Sequence, residues 1–152
     1  MDITYLAIPY SHEDKRIEEM RFEIANFVAS ALMKTGEIVF SPISHTHPMV
    51  KHGLPGDWEY WKCQDTTFLN VCSRFKVVQI EGWNKSTGVG GETEHMKERG
   101  INVEYVNPYE LEGFTDFMEE MMNKLSSRYL PMGFIGNIDI RGMVKRLGKE
   151  VI

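Results

Sequence analysis

The sequence predicts one α/β domain built on a mainly parallel sheet of four or five strands. Short apolar runs rich in strand formers alternate with segments whose apolar residues recur at helical spacing. That alternation indicates parallel strands joined by helical crossovers. At 152 residues the chain suits one domain with a real hydrophobic core.

Residues 3–8 form the first strand, which ends at Pro9. Ser11 or Asp14 caps a helix whose Ile17, Met20, Ile24, Phe27, Val28, Ala31 and Leu32 keep helical spacing up to Gly36. Residues 37–40 form the second strand. Residues 41–55 hold Pro42 and Pro48 and show little periodicity, so they read as a long lid or binding loop. Asp57 caps a helix from Trp58 to about residue 73, and residues 75–80 form the third strand. Ser86-Thr87-Gly88-Val89-Gly90-Gly91-Glu92 reads as a glycine-rich turn, with Glu92 in the first turn of a helix that stops at Gly100. Residues 101–106 form the fourth strand, and Pro108 opens a helix to about residue 128. The domain then spans 1–130. Residues 131–152 form an extension packed on the core or on a neighbouring subunit. The whole predicts a flavodoxin- or Rossmann-like three-layer sandwich. Its crossovers bring residues 9–16, 41–55 and 82–92 to one edge, beyond the strand C-termini, where they line one pocket.

Composition narrows the function. A 42% hydrophobic and 26% charged chain is ordinary for a soluble globular protein. A net charge of −5 argues against a general nucleic-acid binder, which needs a basic face. No apolar run reaches the roughly 18 residues of a membrane span. The N-terminus shows no secretory signal, and Cys63 and Cys72 lie too far apart on one helix to bridge. A cytoplasmic protein with reduced cysteines is expected.

The residues 86–92 carry the chemistry. Backbone N–H groups at a helix start hold anions, and a carboxylate beside them suggests a phosphorylated small molecule. Glu92 equally serves a helix dipole. The segment lacks the lysine of a P-loop, and Ile8-Pro9-Tyr10 lacks the glycines of a dinucleotide fingerprint. Asp65 reads as a solvated helix residue or a second carboxyl, Tyr5 as a core residue, and Arg16 as a surface or pocket cation. Trp58, Tyr60 and Trp61 serve packing or stack on a flat base. Met118, Met121 and Met122 serve a core or an interface. His45 and His47 lack a clear third ligand, so no metal and no other cofactor is expected.

Tyr5-Leu6-Ala7-Ile8-Pro9-Tyr10 resembles the opening strand of nucleoside 2-deoxyribosyltransferase-like proteins. Asp65, the strand over 76–80 and Ser86-x-Gly88-Val89-Gly90-x-Glu92 follow in that family's order, so the resemblance covers residues 3–106. The last motif is most similar to the 2′-deoxynucleoside 5′-phosphate N-hydrolases. The Pro9-Tyr10-Ser11-His12 opening and residues 40–48 also look like a prokaryotic and phage subfamily. The resemblance implies roles. Glu92 is the nucleophile at C1′, Asp65 protonates or orients the leaving base, and Tyr5 lies beside the nucleophile. Ser86 and Gly88 cradle the 5′-phosphate, with Gly90, Pro9, Ser11 and Arg16 in the substrate site. It further implies a small nucleotide as partner and a homodimer or higher homo-oligomer. Ser86 stands where the transferases usually carry Asp, which favours a monophosphate. Ile8 departs from the usual glycine, and the loop over 82–85 is longer than in the hydrolases. Transfer between bases, a non-catalytic nucleotide sensor and a metal-dependent hydrolase using His45 and His47 remain alternatives.

Overall fold

The computed structural model describes residues 2–55 and 57–129; the extension expected over 131–152 lies outside them. The strands are β1 (Ile3–Ala7), β2 (Ile38–Phe40), β3 (Arg74–Val78) and β4 (Val103–Val106). The helices are α1 (Lys15–Lys34), α2 (Pro42–Val50), α3 (Trp58–Val71), α4 (Thr87–Glu98) and α5 (Phe114–Tyr129). The sheet runs β2-β1-β3-β4 and every pairing is parallel. A parallel sheet needs cover on both faces, and here helices supply it. Leu6, Ile8, Val78 and Ile80 pack against α1 and α5. Tyr5, Ala7, Phe75 and Val77 pack against α3 and α4. Period-two alternation along β1 and β3 therefore separates two cores. The three-layer α/β sandwich is the expected class.

Local chemistry sets the helix ends. The Asp14 side chain, rather than Ser11, caps α1 by accepting from the Arg16 N–H at 2.9 Å. Met118 and Met121 of α5 are buried in the α1-side core. Arg99, at the end of α4, donates from Nη1 to the backbone oxygens of Leu69 and Cys72 at the end of α3. That ties the two helices together.

Three expectations are corrected. The stretch 41–55 is not all loop: Pro42–Val50 is helical, with Ser41 as its cap and Pro42 in the first turn. The cap and the proline favour a helix start, while Pro48 inside the helix removes a donor. Residues 86–91 are not a turn either. Ser86 is the cap, its Oγ accepting from the Val89 N–H at 3.3 Å, and α4 starts at Thr87. Glu92 therefore lies in the second turn. Finally, Pro108 opens only a short 3-10 turn, Pro108–Glu110, capped by Asn107, and α5 begins after Gly113.

Toward the strand N-termini, on the α1 side, charges cross the whole sheet. Glu37 accepts from Lys76 Nζ at 2.6 Å, from Thr4 Oγ1 at 3.0 Å and from Arg74 Nη1 at 3.2 Å. Arg74 in turn donates to Glu104 at 2.9 Å. Burial raises the Glu37 pKa, but the Lys76 and Thr4 hydrogen bonds and the two cations outweigh it and hold it below the ordinary value. Lys76→Ala should cost about 1.5–3 kcal/mol at pH 7, read by urea denaturation. A carboxyl depressed in the fold stabilises fully above its unfolded value and loses that contribution as pH falls through its folded value. The gap between wild type and Lys76→Ala should therefore shrink below about pH 4.

Candidate active site

A cavity of about 510 Å³ opens beyond the C-terminal ends of β1, β2 and β3. Residues after β1 (Ile8 to Ser11), residues of α2, and Gly82 with Lys85 to Val89 line it. The N-terminal half of α3, from Asp57 to Asp65, completes the wall. Asp65, Glu92, Pro9, Ser11, Ser86 and Gly88 all line the cavity. Tyr5 stands behind it, fully buried, and reaches Glu92.

Two candidates fall outside this wall. Arg16 lies two residues after the Asp14 cap and folds back onto it at 2.6 Å. Gly90 is exposed and does not line the cavity. Arg21 supplies the cation that Arg16 does not. It is 9% exposed, and its Nη1 donates to the backbone oxygens of Tyr10 and Ser11 at 3.2 and 2.9 Å. Its Nη2 donates to the Glu81 oxygen at 3.2 Å, so one guanidinium joins the loops after β1 and β3. Gly82 has a φ of +85° and its hydrogen faces that guanidinium; a Cβ would lie 3.3 Å from Nη2. Arg21 was detectable in the sequence, because it interrupts the apolar stripe between Ile17 and Ile24.

The carboxyls carry the electrostatics. Tyr5 Oη donates to Glu92 Oε1 at 2.7 Å. Burial pushes the Glu92 carboxyl up to about 8; the Tyr5 bond opposes this and the Asp65 charge adds to it. Burial pushes Asp65 up to about 6. Burial, then the Glu92 and Asp65 charges, hold Tyr5 well above its ordinary value, so it stays a donor at neutral pH. Burial thus favours the protonated form of both carboxyls, Glu92 more than Asp65.

The cavity wall also carries two cations. They are Lys85 and Arg21, and the start of α4 lies in the same wall. Ser86 occupies the Val89 N–H, which leaves the Thr87 and Gly88 N–H groups at the positive end of the helix. The two histidines separate. His47 is buried, stacks on Phe22 at 4.1 Å, and engages Tyr10 Oη through Nδ1 at 2.8 Å and Glu19 through Nε2 at 3.1 Å. His45 is exposed and packs near Phe40 and Phe68. Among the described residues no group of three or more His, Cys, Asp or Glu side chains is placed to hold a metal ion. Both cysteines are free, and no described helix is long and apolar enough to cross a membrane.

A family model described as a domain of unknown function, DUF1937, matches residues 2–107, which include the whole cavity wall. No curated protein matches the chain.

Ionising Glu92 costs the fold free energy, and an amide carries no such cost. A carboxyl raised in the fold favours folding below its unfolded value and loses that advantage as pH rises through its folded value, here about 8. Glu92→Gln should match wild type within about 1 kcal/mol at pH 5 and exceed it by about 2–4 kcal/mol at pH 9. Urea denaturation at the two pH values checks this.

Proposed function

The chain belongs to the DUF1937 family, and we propose that it is an N-glycosidase. Its substrate is a (2′-deoxy)nucleoside 5′-monophosphate, and its products are the free base and the sugar 5-phosphate. The strongest support is the buried Tyr5–Glu92 hydrogen bond of 2.7 Å, with Asp65 in the same cavity wall. These are the three residues that the resemblance to nucleoside 2-deoxyribosyltransferase-like proteins assigns to catalysis. The wall cations Arg21 and Lys85, with the α4 start, suit a 5′-phosphate. The Ser11 and Ser86 hydroxyls lie along the same wall.

The chemistry follows from the charge distribution. A Glu92 oxygen bonds to C1′ as the C1′–N bond breaks, and the bonding pair leaves on the base nitrogen. Asp65 gives that nitrogen a proton. The productive arrangement of the carboxyl pair has one proton, on Asp65. Positive charge developing at C1′ favours the ionised Glu92, which draws the proton toward Asp65. Tyr5 keeps the Glu92 carboxylate oriented by donating to it. Asp65 then takes a proton from water, the water oxygen bonds to C1′, and the ester bond returns its pair to Glu92. A second base in place of water would give transfer; Ser86, where transferases usually carry Asp, favours the phosphorylated substrate.

Incubation with a panel of nucleosides and nucleoside 5′-monophosphates, with free base followed by chromatography, tests the proposal. Glu92→Gln should lower kcat by at least about a thousandfold with folding retained; full activity would overturn the nucleophile role. The kcat/KM profile should be bell-shaped and peak near pH 7, between the values of about 6 and about 8 set by burial of the two carboxyls. Ser86→Ala should raise KM about tenfold for monophosphates and leave nucleosides unchanged, and an equal rise for both would remove Ser86 from the phosphate site.

A further inference from the structure

Gly88 and Gly91 lie nearly one turn apart on α4, and the Trp58 indole rests against both. A Cβ at Gly91 would lie 2.7 Å from Cζ2 and 3.1 Å from Cε2 of the ring, and one at Gly88 would lie 3.8 Å from Cε3. At Gly91 only hydrogen fits beneath the indole where it stands. Glycine inside a helix is less favourable than alanine by about 0.8–1 kcal/mol. The first turns of α4 hold three glycines, of which Gly90 meets nothing within 4 Å and Gly88 gives the ring ordinary contact; at Gly91 the ring seat is what alanine would forfeit.

The seat adjoins the reacting groups. Glu92 follows Gly91 directly and shares a helix face with Gly88, four residues earlier. Asp65 lies seven residues after Trp58 on α3, two turns along the same face. The indole therefore lies at the N-terminal end of the seam between α3 and α4, and both carboxyls lie deeper in that seam. Trp58 also lines the cavity, so the ring is backed by α4 and meets the interior.

We infer that Trp58 is the platform on which the base stacks, an indole held flat by Gly88 and Gly91 beside the bond that Glu92 and Asp65 cleave. The identity of the ligand rests on the N-glycosidase proposal; the platform itself is a binding feature and does not require turnover. Stacking accepts any base, because every base has a π-face, and it favours the larger purines.

The test uses the Glu92→Gln protein, so that binding is read without cleavage. Its probes are the four 2′-deoxynucleoside 5′-monophosphates and 2-deoxyribose 5-phosphate, which has no base. Calorimetry gives affinity, tryptophan emission reports stacking, and far-UV circular dichroism verifies the fold of each variant. The monophosphates should quench emission, purines binding more tightly, and the sugar phosphate should leave emission unchanged. Trp58→Leu should weaken monophosphate binding about tenfold or more, and Trp58→Phe about threefold or less. Neither should alter sugar phosphate binding. Gly91→Ala should displace the ring, shift the emission of the empty protein and weaken monophosphates as Trp58→Leu does. Equal affinities for the Leu, Phe and Trp proteins would overturn the platform, as would equal losses for the base-less sugar phosphate or an absence of quenching by every monophosphate. If wild type releases no base while Trp58-dependent quenching persists, the N-glycosidase proposal fails and the platform stands. If base is released and Trp58→Leu binds like the parent protein, the reverse holds.

Discussion

Strand β1 pairs in parallel with β2 on one side and β3 on the other, so the crossover that leaves β1 and the one that leaves β3 run in opposite directions across the sheet. The loops after β1 and β3 therefore part at their start, and a crevice opens between them. This switch point sets the rest of the molecule. It buries β1 on both faces: Tyr5, Leu6 and Ala7 have no exposed surface. The alternation along β1 then decides which residue faces which helix layer. Tyr5 faces α3 and α4 and so meets Glu92, whereas Thr4 faces the opposite side and joins the Glu37 cluster. A register slip of one residue would exchange the two and leave Glu92 without its donor. Arg21 spans the same crevice, holding backbone oxygens of both loops.

Most of this was legible in the sequence because periodicity and order carry it. Four strands and their crossovers follow from apolar runs, and a parallel alternation of strand and helix implies one loop-lined edge. What escaped has physical reasons. The helix Pro42–Val50 spans nine residues and contains two prolines, so it has too few turns to show a stripe; only its Ser41-Pro42 start announces it. The α4 start looked like a turn because glycine usually means one, yet these glycines answer to an indole from α3 that local sequence cannot reveal. Arg16 and Arg21 illustrate the same limit. Both lie near the start of α1, but a cap next door claims the first, and two distant loops claim the second. The Tyr5–Glu92 contact joins residues 87 apart, and sequence offers only their parity and order.

The cavity carries cations although the chain as a whole is acidic. The cations Arg21 and Lys85 line the same wall as the carboxyls Asp57, Glu59, Asp65 and Glu92. Burial works in the same direction on the three acids at the α3–α4 seam. It raises Asp65, Glu92 and Tyr5 together and so keeps more protons in the site than water would. A cavity of that kind tolerates an anionic ligand that an exposed acidic surface would repel.

Helices α3 and α4 are fastened at both ends, by the Trp58 ring on the glycines at one and by Arg99 on the Leu69 and Cys72 oxygens at the other. The carboxyls they carry therefore travel as a single rigid cassette. The facing wall, from α2 and the loop after β1, is secured separately through His47, Glu19 and Tyr10. Drift in that wall can remodel which ligand is admitted without disturbing the distance between the two acids. The spacing of the two acids and the shape of the facing wall are in this way set by separate contacts of one small domain.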